Sequence, residues 1–261
     1  MHPNDAPPSK ECRVRAPAGT KLAASAWEFR YRFWIFGGWF SLSFFAGYQI
    51  DRRNLAFSIA AALCGLAHHE PTDAAVRAVL FGGVLLAVLA AALRTWATGY
   101  IGAEVMVDGA LRTHTVIAEG PYRYVRNPLY LGTNLLAAGY SAMASRLGGI
   151  MLIAGIVLFH YRLILREERG LTQAQGERYE RYRRAVPRLW PALRPRAAGS
   201  HRQPDWSAGF RGEMFFWGLA AALLVFTITL NLRVYFLALG LAFGAYFLCL
   251  RIVRRRRPSG A

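Results

Sequence analysis

Two groups of residues in this chain have the types and spacing that chemistry asks for. The first is Gly120-Pro-Tyr-Arg-Tyr-Val-Arg-Asn-Pro-Leu-Tyr-Leu-Gly132. The second opens with the carboxylate pair Glu167-Glu168 between Arg166 and Arg169 and runs on as Gly176-Glu-Arg-Tyr-Glu-Arg-Tyr-Arg-Arg-Ala-Val-Pro-Arg-Leu-Trp-Pro191. Between them lie two apolar runs, 129–144 and 148–165, joined by the turn Ser145-Arg-Leu147. A membrane hairpin returns the chain to the face it left, so both groups belong at one bilayer face. Guanidinium groups bind anions through several hydrogen bonds, and tyrosine offers a hydroxyl and an aromatic face. A carboxylate can hold a cation or accept a proton. That set suits a site that takes an amphiphile by its polar end.

Each group also has a plainer reading. Asn127-Pro128 reads as a helix start, since Asn is a strong N-cap and Pro fits the first helical position. Tyr130 and Asn134 then fall one turn apart and face the same way. Gly120-Pro121 marks a turn, with Arg123 and Arg126 beside it. By itself this is a capped membrane helix with interfacial Tyr and Arg anchors. Downstream, Tyr179, Tyr182 and Val186 form a stripe at helical spacing, with Glu177–Arg181 and Glu180–Arg184 as i,i+4 pairs, and Val186-Pro187 stops the helix. By itself this is an amphipathic helix lying on a membrane. The two groups together, at one face, favour a site.

The elements that must position these residues are membrane helices. The 261 residues are 54% hydrophobic with mean hydropathy +0.22, an unusual composition for a soluble protein. Runs at 33–50, 75–93, 148–165, 214–230 and 234–250 are long enough to span a bilayer; 129–144 is slightly short and 54–68 shorter still. The fold expected is all-α, a polytopic integral membrane protein with six or seven transmembrane helices and a cytoplasmic-face active site. Residues 1–32 are polar and basic with no early apolar stretch, which argues against a cleaved signal peptide. The net charge of +17 gathers in the N-terminal arm, in 166–211 and in 251–257, all beside spans. That distribution fits anionic lipid headgroups and not nucleic acid. Cys12, Cys64 and Cys249 have no spacing that implies a disulfide framework or zinc. A Gly-rich phosphate loop and a Gly-x-Ser-x-Gly elbow are both lacking.

Four parts follow: a basic polar arm (1–32), N-terminal membrane helices (33–97), a core with the polar segments (98–197), and a linker, two-span hairpin and Arg-rich tail (198–261). Eleven arginines against five acids in 166–211 put that segment in the cytoplasm. The loop 98–128 and the tail then share its side, while Ser145-Arg-Leu147 and 68–74 fall outside. A full crossing by 54–68 would place the basic arm outside, against the charge bias. Without that crossing, both termini are inside.

Arg126-Asn-Pro-Leu-Tyr-Leu-Gly132, followed thirty-five residues later by Glu167-Glu168 and then by Tyr-x-x-Tyr and Val-Pro-Arg-x-x-Pro, resembles the isoprenylcysteine carboxyl methyltransferase and phospholipid methyltransferase superfamily. The resemblance covers roughly 75–195. It implies S-adenosyl-L-methionine as cofactor and methyl transfer to a lipid-like or small amphiphilic acceptor, a carboxylate, amine or thiol. It implies a cofactor wall of Gly120, Pro121, Tyr122, Arg126, Asn127, Pro128, Tyr130 and Gly132, with Arg188 touching the cofactor or closing the C-terminal helix. Glu167 and Glu168 would carry catalysis where cofactor and substrate meet. Asn127 departs from the family's usual His and cannot carry a proton. Competing readings are an NADPH-dependent sterol or enone reductase and a non-catalytic membrane scaffold; the adjacent Glu-Glu pair favours methyl transfer. Asn134 and His160 are expected along a passage for substrate from the bilayer, with Gly139 and Gly155 on its wall. The Arg- and Ala-rich composition leans toward a bacterium and so to its inner (cytoplasmic) membrane.

Overall fold

The structure, a computed structural model, describes residues 22–65, 71–101, 117–199 and 202–255. The arm up to residue 21 with Cys12, the pair His68-His69, most of the polar loop ahead of Gly120 and the tail beyond residue 255 lie outside the described residues. Among the described residues every regular element is a helix, as expected for an all-α fold, and the one β-type contact is an isolated bridge between Asn54 and Ser145. Local signals set the helix ends. Ser25 and Glu28 form a capping box at α1 (Ala26–Arg30), which leads into α2 (Arg32–Ile50). Asn54 caps α3 (Leu55–Leu63), Ser145 caps α6 (Arg146–Gln175) and Asp205 caps α8 (Trp206–Thr229). The others are α4 (Asp73–Ile101), a 3₁₀ turn (Gly120–Arg123), α5 (Pro128–Ser141), α7 (Glu177–Ala185) and α9 (Leu232–Arg255).

Helix direction follows from the contacts. Ahead of α1, which leads into α2, the Ala24 N–H donates to Arg162 O (3.0 Å), and beyond the end of α2 Arg146 meets Asp51 at 3.0 Å, so α2 runs antiparallel to α6. The first N–H groups of α3 donate to Ala144 O and Ala142 O at the end Asp51 occupies. Gly83 abuts Gly139 while Arg94 donates to Leu129 O, so α4 begins at that far end and runs back to the first. Consequently α2 carries the chain out and α4 carries it back, with α3 at the turn between them. α5 and α8 run out, α6 and α9 return.

Among the described residues four helices, α4, α6, α8 and α9, are long and apolar enough to cross a membrane. α2 has 19 residues and mixes Trp, Tyr, Ser and Gln with its apolar side chains. α5 has 14 residues, about 21 Å of rise, short of a hydrocarbon core of roughly 30 Å. The core sits between α4, α5, α6 and α8, where Leu80, Leu136, Tyr140, Leu152, Ile156 and Leu223 are fully buried.

Two sequence expectations change here. Gly139 and Gly155 do not line a passage: a Cβ on Gly139 would sit 2.4 Å from Gly83 O, and one on Gly155 would strike the Trp39 ring. Both are points of close helix approach. The apolar run ends at residue 165, but α6 continues to Gln175 and stops at Gly176, whose φ of +51° with ψ of −129° is a backbone that glycine adopts far more readily than other residues.

Candidate active site

Because α6 does not break after the apolar run, Glu167 and Glu168 are consecutive residues of one helix. Consecutive helical side chains point about 100° apart. The two carboxylates therefore face different surroundings and do not share one meeting point. Glu167 accepts a hydrogen bond from Tyr130 Oη at 2.8 Å, across the α5–α6 hairpin. Thirty residues of α6 rise about 45 Å, so its last turns project beyond a hydrocarbon core of roughly 30 Å. Glu167 falls at that exit.

Glu168 is buried and holds two arginines. Arg126 Nη1 lies 2.8 Å from Oε1, and Arg188 reaches Oε2 with Nη2 at 2.8 Å and Nε at 3.1 Å. Arg188 Nη1 also donates to Tyr161 Oη at 3.0 Å, with its guanidinium over that ring. One carboxylate thus ties together the motif loop, α6 and the segment after α7.

The loop and that segment run side by side. Arg126 N–H donates to Pro187 O (2.9 Å), Ala192 N–H to Tyr124 O (2.9 Å) and Arg196 N–H to Arg123 O (2.8 Å). Asn127 stands at the N-cap position before Pro128, as its sequence suggests, yet its side chain caps nothing. Its Nδ2 donates instead to Arg188 O at 3.2 Å, joining the same strap. The position asks for a donor and carries out no proton transfer in this arrangement.

A cleft opens between loop, hairpin and α7. It is lined by Tyr122, Arg126, Asn127, Pro128, Leu129, Tyr130, Glu167, Leu171, Tyr179 and Tyr182, with Ile101 and Ile117 at its edge. Six of the residues singled out in the sequence, Tyr122, Arg126, Asn127, Pro128, Tyr130 and Glu167, meet there. Gly120, Pro121, Gly132, Glu168 and Arg188 support it from outside. Gly120 adopts φ +53°, and a Cβ would meet the Tyr100 ring at 2.2 Å, so only glycine fits this turn. Pro121 is buried at the head of the 3₁₀ turn. Gly132 faces α4, not the cleft: its Cβ would lie 2.5 Å from Arg94 Cγ.

The stripe on α7 does face inward, with Tyr179 and Val186 buried and Tyr182 Oη donating to Tyr122 O at 2.8 Å. Burial, with the Glu168 charge next, pushes the Tyr179 phenol up to about 12; burial raises Tyr182 as well. Both stay protonated at neutral pH, so they donate hydrogen bonds and do not act as bases. On the solvated side the ion pair is Arg183–Glu180 at 3.0 Å, an i,i+3 pair.

Beneath Tyr130 and Glu167 lies a second polar rung: His160 Nδ1 is 2.6 Å from Asn134 Oδ1, and the His160 ring packs between Tyr130 and Phe36. These two residues were expected along a passage. They bond to each other inside the hairpin instead, because a polar group in hydrocarbon needs a partner.

Sequence reasoning passed over Arg94 and Glu213. They form a buried pair, Nε to Oε2 at 2.6 Å and Nη2 to Oε1 at 3.1 Å, and Glu213 is fully buried. The signal was available, since the apolar runs end at Leu93 and resume at Met214, one residue from each charge.

Residues 78–178 match the family model for phospholipid methyltransferase. Over 83 residues the chain is 30% identical to the protein-S-isoprenylcysteine O-methyltransferase of the yeast Schizosaccharomyces pombe. The matched stretch is 31% of this chain and 35% of that relative, so the chain spans about a third of its length. No solved structure matches. The matched residues 78–178 contain the cleft's loop, its hairpin and both carboxylates, so the similarity to phospholipid methyltransferase falls on the segment that builds the cleft.

Proposed function

We propose that the protein is a membrane-embedded methyltransferase that uses S-adenosyl-L-methionine and acts on a lipid-like or small amphiphilic acceptor. The observation that carries this reading is the Tyr130–Glu167 pair, set in the cleft at the level where the hairpin leaves the hydrocarbon. A carboxylate there can meet the polar end of an acceptor whose apolar part remains in the bilayer.

The residues present fit the cofactor. Arg126 Nη1 is engaged by Glu168, while its Nε is buried without a hydrogen-bond partner among the described residues, so a donor remains for a carboxylate. Tyrosine faces suit both a sulfonium cation and a purine. When bound, the cofactor supplies an electrophilic methyl group on sulfur, so no enzyme nucleophile is required. The protein's part is alignment in a site that excludes water. Arg126, Asn127 and Tyr122 bind on the loop side, with Tyr179 and Tyr182 opposite. Glu167, oriented by Tyr130, holds the acceptor and takes a proton from it where the acceptor is an amine or thiol. Glu168 and Arg188 hold Arg126 and the loop in place.

With α3 at the far turn, the reading is six crossings with both ends of the described chain at the site end. The arginines of 166–211 gather at that end, which makes it cytoplasmic by charge bias, and in a bacterium the membrane is the inner one. Thermal unfolding of the detergent-purified protein tests the cofactor. S-adenosylhomocysteine should raise the midpoint and NADPH should not. Stabilisation by NADPH alone would make the protein a reductase, and stabilisation by neither would leave a scaffold.

A further inference from the structure

The Arg94–Glu213 pair lies outside the cleft, and Glu213 lies outside the family-matched residues 78–178. We propose that the C-terminal hairpin α8–α9 supplies a positioning residue, Glu213, which acts through Arg94 on the first turn of α5 and so sets the cofactor wall. The inference rests on the methyltransferase reading.

Glu213 grips Arg94 with both carboxylate oxygens, and Thr98 Oγ1 donates to Oε1 at 2.7 Å. The remaining guanidinium nitrogen, Nη1, donates to Leu129 O and to Thr133 Oγ1, each at 2.9 Å. Phe216, also from α8, covers the guanidinium at 3.8 Å. Arg94 is thus enclosed by α4, α5 and α8. It reaches the site through α5, where Leu129 lines the cleft and Tyr130, the next residue, orients Glu167.

Stability alone does not account for this arrangement. A buried ion pair costs desolvation that its attraction barely repays, and apolar residues of similar size often serve as well. What an apolar pair cannot do is deliver two directed N–H groups to a carbonyl and a hydroxyl on a neighbouring helix. The Leu129 carbonyl also accepts from Thr133 Oγ1 at 3.0 Å, so the first turn of α5 is fixed from the side as well as along its axis. Gly132 makes room for this: a Cβ there would lie 2.5 Å from Arg94 Cγ and 3.2 Å from Ala90 O. The glycine of the motif is therefore explained by the arginine that lies across it, and the arginine by a carboxylate from a hairpin beyond the matched segment.

The test replaces both charges at once, Arg94→Met with Glu213→Leu, in the full chain in lipid nanodiscs. S-adenosylhomocysteine affinity is measured by calorimetry beside the thermal midpoint. The variant should unfold near the wild-type midpoint and bind S-adenosylhomocysteine on the order of tenfold more weakly, the scale of loss that displaced site geometry gives. Wild-type affinity in that variant overturns the proposal. Arg94→Lys is the second variant: it keeps the ion pair, but a single ammonium cannot satisfy Glu213 and α5 together. Weakened binding at a temperature where it is folded supports positioning. Unchanged binding overturns it, even if the double variant does not fold. Failure of the wild-type protein to bind S-adenosylhomocysteine would sink the methyltransferase reading instead.

Discussion

The α5–α6 hairpin is closed at its two ends by different means. At the far end the bonds run mostly to backbone: Ser145 caps α6, Asn54 caps α3, and Asn54 Nδ2 reaches Met143 O and Ala144 O. The ion pair there, Asp51–Arg146, is exposed to solvent on the arginine side. At the site end side chains also bond to side chains, and charge is buried: Glu168 is enclosed with Arg126 and the half-buried Arg188, and Tyr130 holds the half-buried Glu167. Every helix end must satisfy its free backbone groups, so the far end does what the fold demands. Nothing in the fold demands buried charge, which costs desolvation. Its concentration at one end marks where the molecule does something other than fold.

The largest effect should come from Glu168→Ala. It leaves Arg126 buried and strands Arg188, and breaking a buried pair from one side costs about 3–5 kcal/mol, here toward the lower figure because Arg188 is partly hydrated. Denaturant unfolding in mixed micelles measures the loss, and cofactor binding should fail with it. A cost below about 1 kcal/mol would put Glu168 in the same class as the exposed far-end pair.

Glu167→Gln should separate chemistry from fold. The amide keeps a hydrogen bond to Tyr130, so the unfolding midpoint should stay near wild type while turnover falls about a hundredfold or more, as loss of a general base or acceptor-holding charge does. Tyr130→Phe removes the orienting bond to that carboxylate and should cost roughly ten- to a hundredfold, in line with the 1.5–3 kcal/mol of a hydrogen bond to a charged group. If both variants turn over like wild type, the cleft is not where reaction occurs.

Asn127→His should do little. The structure uses position 127 to donate to Arg188 O, and an imidazole N–H can donate as well. Turnover within a few-fold of wild type would place the departure from the family's usual residue among neutral changes. A large gain would mean that a proton carrier is missing at this position.

How much of this was legible in the sequence varies by kind of signal. Apolar runs gave the helices, and the spacing Tyr179, Tyr182, Val186 gave the buried face of α7, because both depend on periodicity alone. The meeting of the Gly120 loop with the Glu167 turn followed from hairpin geometry. The split between Glu167 and Glu168 was missed because Arg166–Arg169 looked like the end of a span. Charge does not end a helix, and Gly176, which does, lay seven residues further on. The Arg94–Glu213 pair was missed because each residue sits just outside an apolar run and nothing local joins positions 119 residues apart. The ambiguity of 54–68 was one of length, and periodicity alone does not say whether so short an apolar run crosses a bilayer.

The smallest effect should be at the far end, with Asp51→Asn. Arg146 hydrogen bonds hold the Asp51 carboxyl below its ordinary range, and the backbone N–H groups of Arg53 and Leu147 add to this. A carboxyl whose folded pKa is depressed contributes stability above its unfolded value, near 3.9, and loses it as pH falls through the folded value. The contribution is therefore fully present at neutral pH and disappears only in acid. Because the pair is exposed, salt should weaken it too. Wild-type and Asp51→Asn unfolding midpoints should differ slightly at pH 7 in low salt, converge at high salt, and converge again in acid once the pH has fallen through the folded value, as the linkage predicts. Turnover should be unchanged throughout, since no contact of Asp51 reaches the cleft. A drop in turnover as large as that of Tyr130→Phe would mean that the two ends of the hairpin are coupled, and that the far end does more than close the fold.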